Sequence, residues 1–176
     1  AVADLGEALR DRAAAFADRS RFSMDWYYPV LGGAVTGAAA RARLAADWDR
    51  FVVPGLGCRC VSDQPWVTGA ETCELALALA AAGQRDAAIE QIAAMQHLRS
   101  EDGSYWTGYV FADAARWPVE RTTWTAGAVL LAADALAGAT PAGGLFTDPA
   151  VLPAAGMPEK VPPADSLPEG AGTVLP

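Results

Sequence analysis

Between residues 68 and 82 the chain reads Thr-Gly-Ala-Glu-Thr-Cys-Glu-Leu-Ala-Leu-Ala-Leu-Ala-Ala-Ala, and beyond the first turn this stretch has almost no polar face. Alanine and leucine dominate it and β-branched residues are scarce, so it favours helix over strand. A helix that is apolar on every side has to be wrapped by protein. The surrounding sequence must therefore supply helices that are apolar on one side only.

It does. From 36 to 51, Ala40, Leu44, Trp48 and Phe51 form one stripe, with Arg41, Arg43, Asp47 and Arg50 off it. Residues 4 to 19 repeat the pattern with Leu5, Leu9, Ala13 and Phe16. Gly83 supplies a C-cap and Asp86 an N-cap, so the chain reverses into an amphipathic helix carrying Ile89, Ile92 and Met95. A second enclosed helix is expected from 122 to 137, where Asp134 is the single acid. A short or broken inner helix is expected from 24 to 35, interrupted by Pro29 and Gly32-Gly33.

This alternation predicts an all-α fold, an array of αα-hairpins forming about half of an α/α toroid over residues 1–138. After Gly138 the chain turns rich in Pro, Gly and Ala and loses periodicity, so 139–176 is expected to be an extended or disordered tail. Trp66-Val67-Thr68-Gly69-Ala70 and Trp124-Thr125-Ala126-Gly127-Ala128 form a weak repeat, 58 residues apart. Long loops, 52 to 66 and 100 to 120, precede the two enclosed helices, and loops of such length are often functional.

With 52% hydrophobic and 19% charged residues in 176, the chain has ample material for a core. A net charge of -8, with Lys and Arg dispersed, excludes the electrostatic footprint of a nucleic-acid binder. No apolar run reaches the roughly 20 residues that span a bilayer, because Glu71, Glu74 and Asp134 interrupt the greasiest segments. Three cysteines without a regular framework and no basic region before an apolar one point to a cytoplasmic protein. Cys58-x-Cys60 lacks a second pair and the single His97 is placed on an outer helix, so neither a metal nor another cofactor is expected.

Alternating helices bring the N-termini of the enclosed ones to a common rim, where polar and aromatic residues concentrate. Asp25, Asp63, Glu71 and Glu120 are the candidate catalytic acids. Trp26, Tyr27, Tyr28, Arg59, Trp66, Tyr105, Trp106, Tyr109, Arg121 and Trp124 are the candidate substrate contacts. Aromatic walls suit sugar faces or isoprenoid chains, and carboxylates serve as general acid and base or stabilise a carbocation. Plainer readings stand beside these. Thr68 with Glu71 fits a capping box, Glu74 gains from the helix dipole, Asp63 precedes the turn-forming Pro65, and Asp102-Gly103-Ser104 is a good turn.

The runs Arg21-Phe22-Ser23-Met24-Asp25-Trp26-Tyr27-Tyr28-Pro29, Trp66-Val67-Thr68-Gly69-Ala70-Glu71-Thr72-Cys73-Glu74, Asp102-Gly103-Ser104-Tyr105-Trp106 and Glu120-Arg121-Thr122-Thr123-Trp124 resemble a group of actinobacterial prenyltransferase-like proteins. The resemblance implies a six-hairpin toroid similar to terpenoid cyclases, protein prenyltransferases and six-hairpin glycosidases. Its members are about twice this length, which implies that the chain corresponds to their C-terminal half. The acid-rich motif of squalene-type cyclases and the zinc ligands of protein prenyltransferases are both absent from the sequence.

Three functions follow as expectations. The first is a prenyltransferase or terpenoid-cyclase-like domain with an isoprenoid in an aromatic cavity. The second is a carbohydrate-processing enzyme using paired carboxylates. The third is a non-catalytic toroid that binds a ligand or a protein. An open apolar flank also predicts self-association or marginal stability.

Overall fold

The computed structural model describes residues 2–12 and 15–148. Helix α5 (Gly69–Ala81) is the central element, packed against α2 (Ser23–Leu31), α6 (Arg85–Ala94) and α7 (Thr123–Ala137). Its enclosure is what the sequence demands, since nine of its residues are buried. Two core clusters meet on its opposite faces. Leu75, Ala76 and Leu79 join Trp26, Tyr27, Val30, Leu44, Phe51 and Ala88 on one side. Ala70, Cys73 and Leu77 join Met95, Leu98, Ala128 and Ala132 on the other.

Local signals account for the helix ends. At Gly83, φ is +76°, and the amides of Gly83 and Gln84 donate to Ala80 and Leu79 carbonyls, which closes α5 in a Schellman motif. Thr122 caps α7 by accepting from the Thr125 amide, and Gly138 ends it in the left-handed region. Helix α1 (Val2–Asp11) and the amphipathic pair α3 (Gly37–Ala46) and α4 (Trp48–Phe51) complete the set. The stripe expected over 36 to 51 is broken at Asp47, so Trp48 and Phe51 lie on a separate turn. His97 lies on a 3-10 turn, Met95–Leu98, that continues α6.

The all-α expectation is corrected here. Among the described residues, seven helices are accompanied by two antiparallel sheets: β1 (Val52–Val53) with β2 (Gly57–Cys58), and β3 (Trp66–Thr68) with β4 (Gly108–Val110) and β5 (Ala115–Arg116). The architecture is therefore mixed, and a purely helical toroid does not describe it. The strands lie in the stretches expected to be loops, except that β3 runs past 66 and takes up Thr68, expected to open the helix. Their cause is backbone pairing, with Trp66 opposite Val110, Val67 opposite Tyr109 and Thr68 opposite Gly108. Gly108 is required there: an added Cβ would lie 2.8 Å from the Val67 carbonyl oxygen and 3.0 Å from that of Trp117. The three-stranded sheet sits over the N-terminus of α5, since β3 runs directly into it.

The expected enclosure of α7 is only partial. Thr125, Ala128 and Ala132 are buried, while Trp124 is 64% and Leu130 71% exposed. Of the tail expected over 139–176, residues 149 to 176 lie outside the described residues. Residues 139 to 148 include a 3-10 turn, Pro141–Gly144, tied to α7 by the Thr140 amide and hydroxyl donating to Asp134 at 2.8 and 2.6 Å. No helix among the described residues is long and apolar enough to cross a membrane.

Candidate active site

Two carboxylates rise from the first turns of α5, Glu71 and, one turn later, Glu74. Positions three apart on a helix share a face, with Cβ atoms about 5–6 Å apart. Both side chains are half-buried in an otherwise apolar helix. Thr68 does not cap this helix with its side chain, and its buried hydroxyl oxygen has no partner. The capping-box role for Glu71 therefore has no counterpart in the geometry. Glu71 instead lies near the Cys60 thiol, whose pKa is pushed up to about 12 by burial and then by the Glu71 carboxylate.

Glu74 is the more constrained acid. Tyr27 and Tyr28, consecutive on α2, both donate their hydroxyls to Glu74 Oε2, at 2.7 and 3.3 Å. Burial raises the Glu74 pKa above its ordinary value, the Tyr27 hydrogen bond opposes that, and the Glu71 charge adds to it. Burial, and after it the Glu74 charge, raises both phenols, with Tyr28 reaching about 12. Glu74 lines a cleft of about 430 Å³ between α2, α5 and α7, whose walls include Leu31, Leu77, Trp124, Leu131 and Phe146.

Tyr27 is fully buried, whereas Tyr28 is 42% and Trp124 64% exposed. The site thus offers one phenol fixed by the core and two aromatic faces open to solvent. Tyr28 borders a different cleft of about 430 Å³, together with Asp25, Phe22, Met24 and Arg19.

The remaining candidates are distributed otherwise. Trp26 is core: its ring stacks on Phe51 at 5.4 Å and its indole N–H donates to the Arg43 carbonyl. Asp63 lies at the surface in an ion pair with Arg21 at 2.9 Å, and that guanidinium holds its carboxyl below the usual range. Arg59 sits over the Phe111 ring at 5.2 Å. Trp66 donates its indole N–H to the Trp117 carbonyl and meets the Trp117 ring edge-on at 4.9 Å.

Glu120 is exposed, with its backbone carbonyl accepting from the Thr107 amide. Arg121 pairs with Asp102 at 2.5 Å and, with Arg116, flanks the Trp106 ring. Tyr105 donates to Gln96. Tyr109 meets the His97 ring at 5.2 Å, so the histidine placed on an outer helix touches one of the rim's candidate residues. Of the expected set, Tyr27 and Tyr28 meet at Glu74, Glu71 lies one turn before it on α5, and Trp124 shares its cleft. Glu74, read as a helix-dipole residue, joins them. Among the described residues there is no cluster of three His, Cys, Asp or Glu side chains able to hold a metal ion.

A carboxyl whose pKa is raised by burial, a second carboxyl one turn before it and an exposed tryptophan in the same cleft are residue types that glycoside-cleaving sites use. The comparison with known proteins points to the same class. Over 146 residues, 83% of its length, the chain is 63% identical to the MMP endo-(1,4)-3-O-methyl-alpha-D-mannosidase of Mycolicibacterium hassiacum. Those residues cover 41% of that enzyme, so the chain spans about two-fifths of the relative it matches. No protein-family model matches the chain. The resemblance to prenyltransferase-like and terpenoid-cyclase-like toroids is overturned by these findings: the similar protein is a glycosidase, and sheets interrupt the helices.

Proposed function

We propose that this chain carries part of a glycoside-cleaving site acting on mannose chains that bear methyl ethers. The observation that supports it most is Glu74, a half-buried carboxyl in an aromatic cleft, within a chain 63% identical to a mannosidase. Glu74 is the general acid: its O–H gives a proton to the glycosidic oxygen as the C–O bond breaks. Glu71 stabilises the positive charge that develops at the anomeric carbon until a water molecule adds its oxygen there and gives up a proton to solvent. Carboxyl pairs in such enzymes lie roughly 5–10 Å apart, a span that adjacent turns of one helix can provide.

Trp124 and Tyr28 present stacking faces to the sugar. Leu31, Leu77, Leu131 and Phe146 suit O-methyl groups, which gain from apolar walls that a fully hydroxylated sugar would not use. Asp25, beside Tyr28 in the adjoining cleft, serves a further sugar unit. Glu120 and Asp63 are surface acids outside the reacting pair.

The exposed side of α7 is a self-association surface, and the division into a folded unit over 1–138 and a following segment over 139–176 belongs to the same proposal. A cytoplasmic location is supported by three free thiols, Cys58, Cys60 and Cys73.

The test is turnover of α-(1,4)-linked 3-O-methylmannose oligosaccharides, followed by mass spectrometry, with thermal-shift binding as a second readout. Glu74→Gln should lower turnover by about 10²–10⁴-fold while leaving sugar-induced stabilisation within a factor of a few. Equal turnover by the variant, or no stabilisation of the wild-type chain by these sugars, would overturn the reading.

A further inference from the structure

Both phenols on α2 converge on a single oxygen of Glu74. Oε2 accepts from Tyr27 at 2.7 Å and from Tyr28 at 3.3 Å, while Oε1 has no hydrogen-bond partner among the described residues. An oxygen that already accepts two O–H donors is the carbonyl-like one, so a proton on this carboxyl resides on the other. The two donors are not equivalent. Tyr27 is completely enclosed by the core, edge-on to Trp26 at 6.2 Å, whereas Tyr28 is 42% exposed.

We propose that Tyr27 is the positioning residue of this site: by gripping Oε2 from inside the core, it leaves Oε1 as the oxygen through which Glu74 exchanges a proton with a ligand in the Trp124 cleft. Tyr28 supplies a weaker, replaceable contact that a sugar hydroxyl displaces. The inference rests on the reading of Glu74 as the acid and adds which atom carries the proton and what fixes it there.

The groups that face Glu74 are few. Glu71 precedes it on α5, Tyr27 and Tyr28 reach it from α2, and the Cys58, Cys60 and Cys73 thiols lie near enough to feel its charge. From α7 the cleft receives Thr123 and Trp124, both uncharged. No cation among these can substitute for the tyrosines. Removing the shorter bond should therefore be felt directly at the carboxyl.

Carbon-13 NMR of the Glu74 carboxyl, titrated in the whole chain, reads this without any need for turnover. In Tyr27→Phe the midpoint should rise, because a donor to the charged form is lost, and in the same variant kcat should fall at least tenfold with KM nearly unchanged. Tyr28→Phe should move the midpoint less and act on KM. Installing 3-fluorotyrosine at position 27 keeps the ring and strengthens the donor, so it should move the midpoint down even if Tyr27→Phe proves poorly folded. A Glu74 midpoint indifferent to both changes at position 27 would overturn the proposal. A shifted midpoint in a chain that methylmannose oligosaccharides fail to stabilise would instead leave the positioning intact and overturn the glycosidase reading.

Discussion

Glu74 has a carboxyl whose neutral form the folded chain prefers, and that preference has a pH signature. Its ordinary pKa is 4.5 and burial raises it, so the folded state binds the proton more tightly than the unfolded one. The stability contributed is complete below about pH 4.5 and is lost as pH rises through the folded value. Thermal melts from about pH 4 to about pH 8 should show wild type losing ground against Glu74→Gln as pH increases, with the two converging in acid. A difference that did not vary with pH would contradict the assignment. The sequence showed that Glu71 and Glu74 break an apolar helix, which was the visible signal. It did not show that Tyr27 and Tyr28, some 46 residues upstream, close over Glu74, because that contact exists only once α2 packs on α5. Trp26 was equally opaque: its neighbours Tyr27 and Tyr28 face the site, but one step along the helix turns the indole into the core.

Helices α5 and α7 approach closely at Gly69, where an added Cβ would lie 2.9 Å from Thr125 Cγ2 and 3.3 Å from Met95 Cε. Thr125 is fully buried and its hydroxyl is bonded to that of Thr122, so it has little freedom to yield. Gly69→Ala should therefore destabilise the chain by about 1–3 kcal/mol, measured by urea unfolding, despite alanine's better helix propensity. A stabilised variant would show that the two helices can separate without cost. The helices themselves were legible from periodicity and caps, as Gly83, Thr122 and Gly138 illustrate. The strands were not, because segments of two or three residues are too short to display alternation. The Trp66 and Trp124 repeat misled for a related reason. Trp66 belongs to a strand and Trp124 to the first turn of a helix, and the residues that occupy equivalent N-cap positions are Thr68 and Thr122.

At the scale of the molecule, α7 remains the element whose composition exceeds its burial. Leu130 and Leu131 stand 71% and 40% exposed on a helix with one acid and no base. Exposed apolar stripes of this kind drive association. Size-exclusion chromatography should find the wild-type chain in species larger than a monomer, and Leu130→Asp should shift it toward the monomer without loss of helical circular dichroism. A monomeric wild type would remove the self-association proposal. The enclosed central helix was readable because no other solution hides an all-apolar cylinder from water. The function was less readable, since aromatic residues and acids serve isoprenoids and sugars alike until their positions are known.

Helix α5 separates the two halves of the core and bears both acids in its opening turns. Any motion that displaced Glu71 and Glu74 would have to open both halves together. Hydrogen exchange at the amides around Leu75 and Leu77 should accordingly be among the slowest in the chain and track its global unfolding. The reacting groups are mounted on the last segment to come undone, so loss of chemistry on heating should coincide with loss of the whole structure rather than precede it.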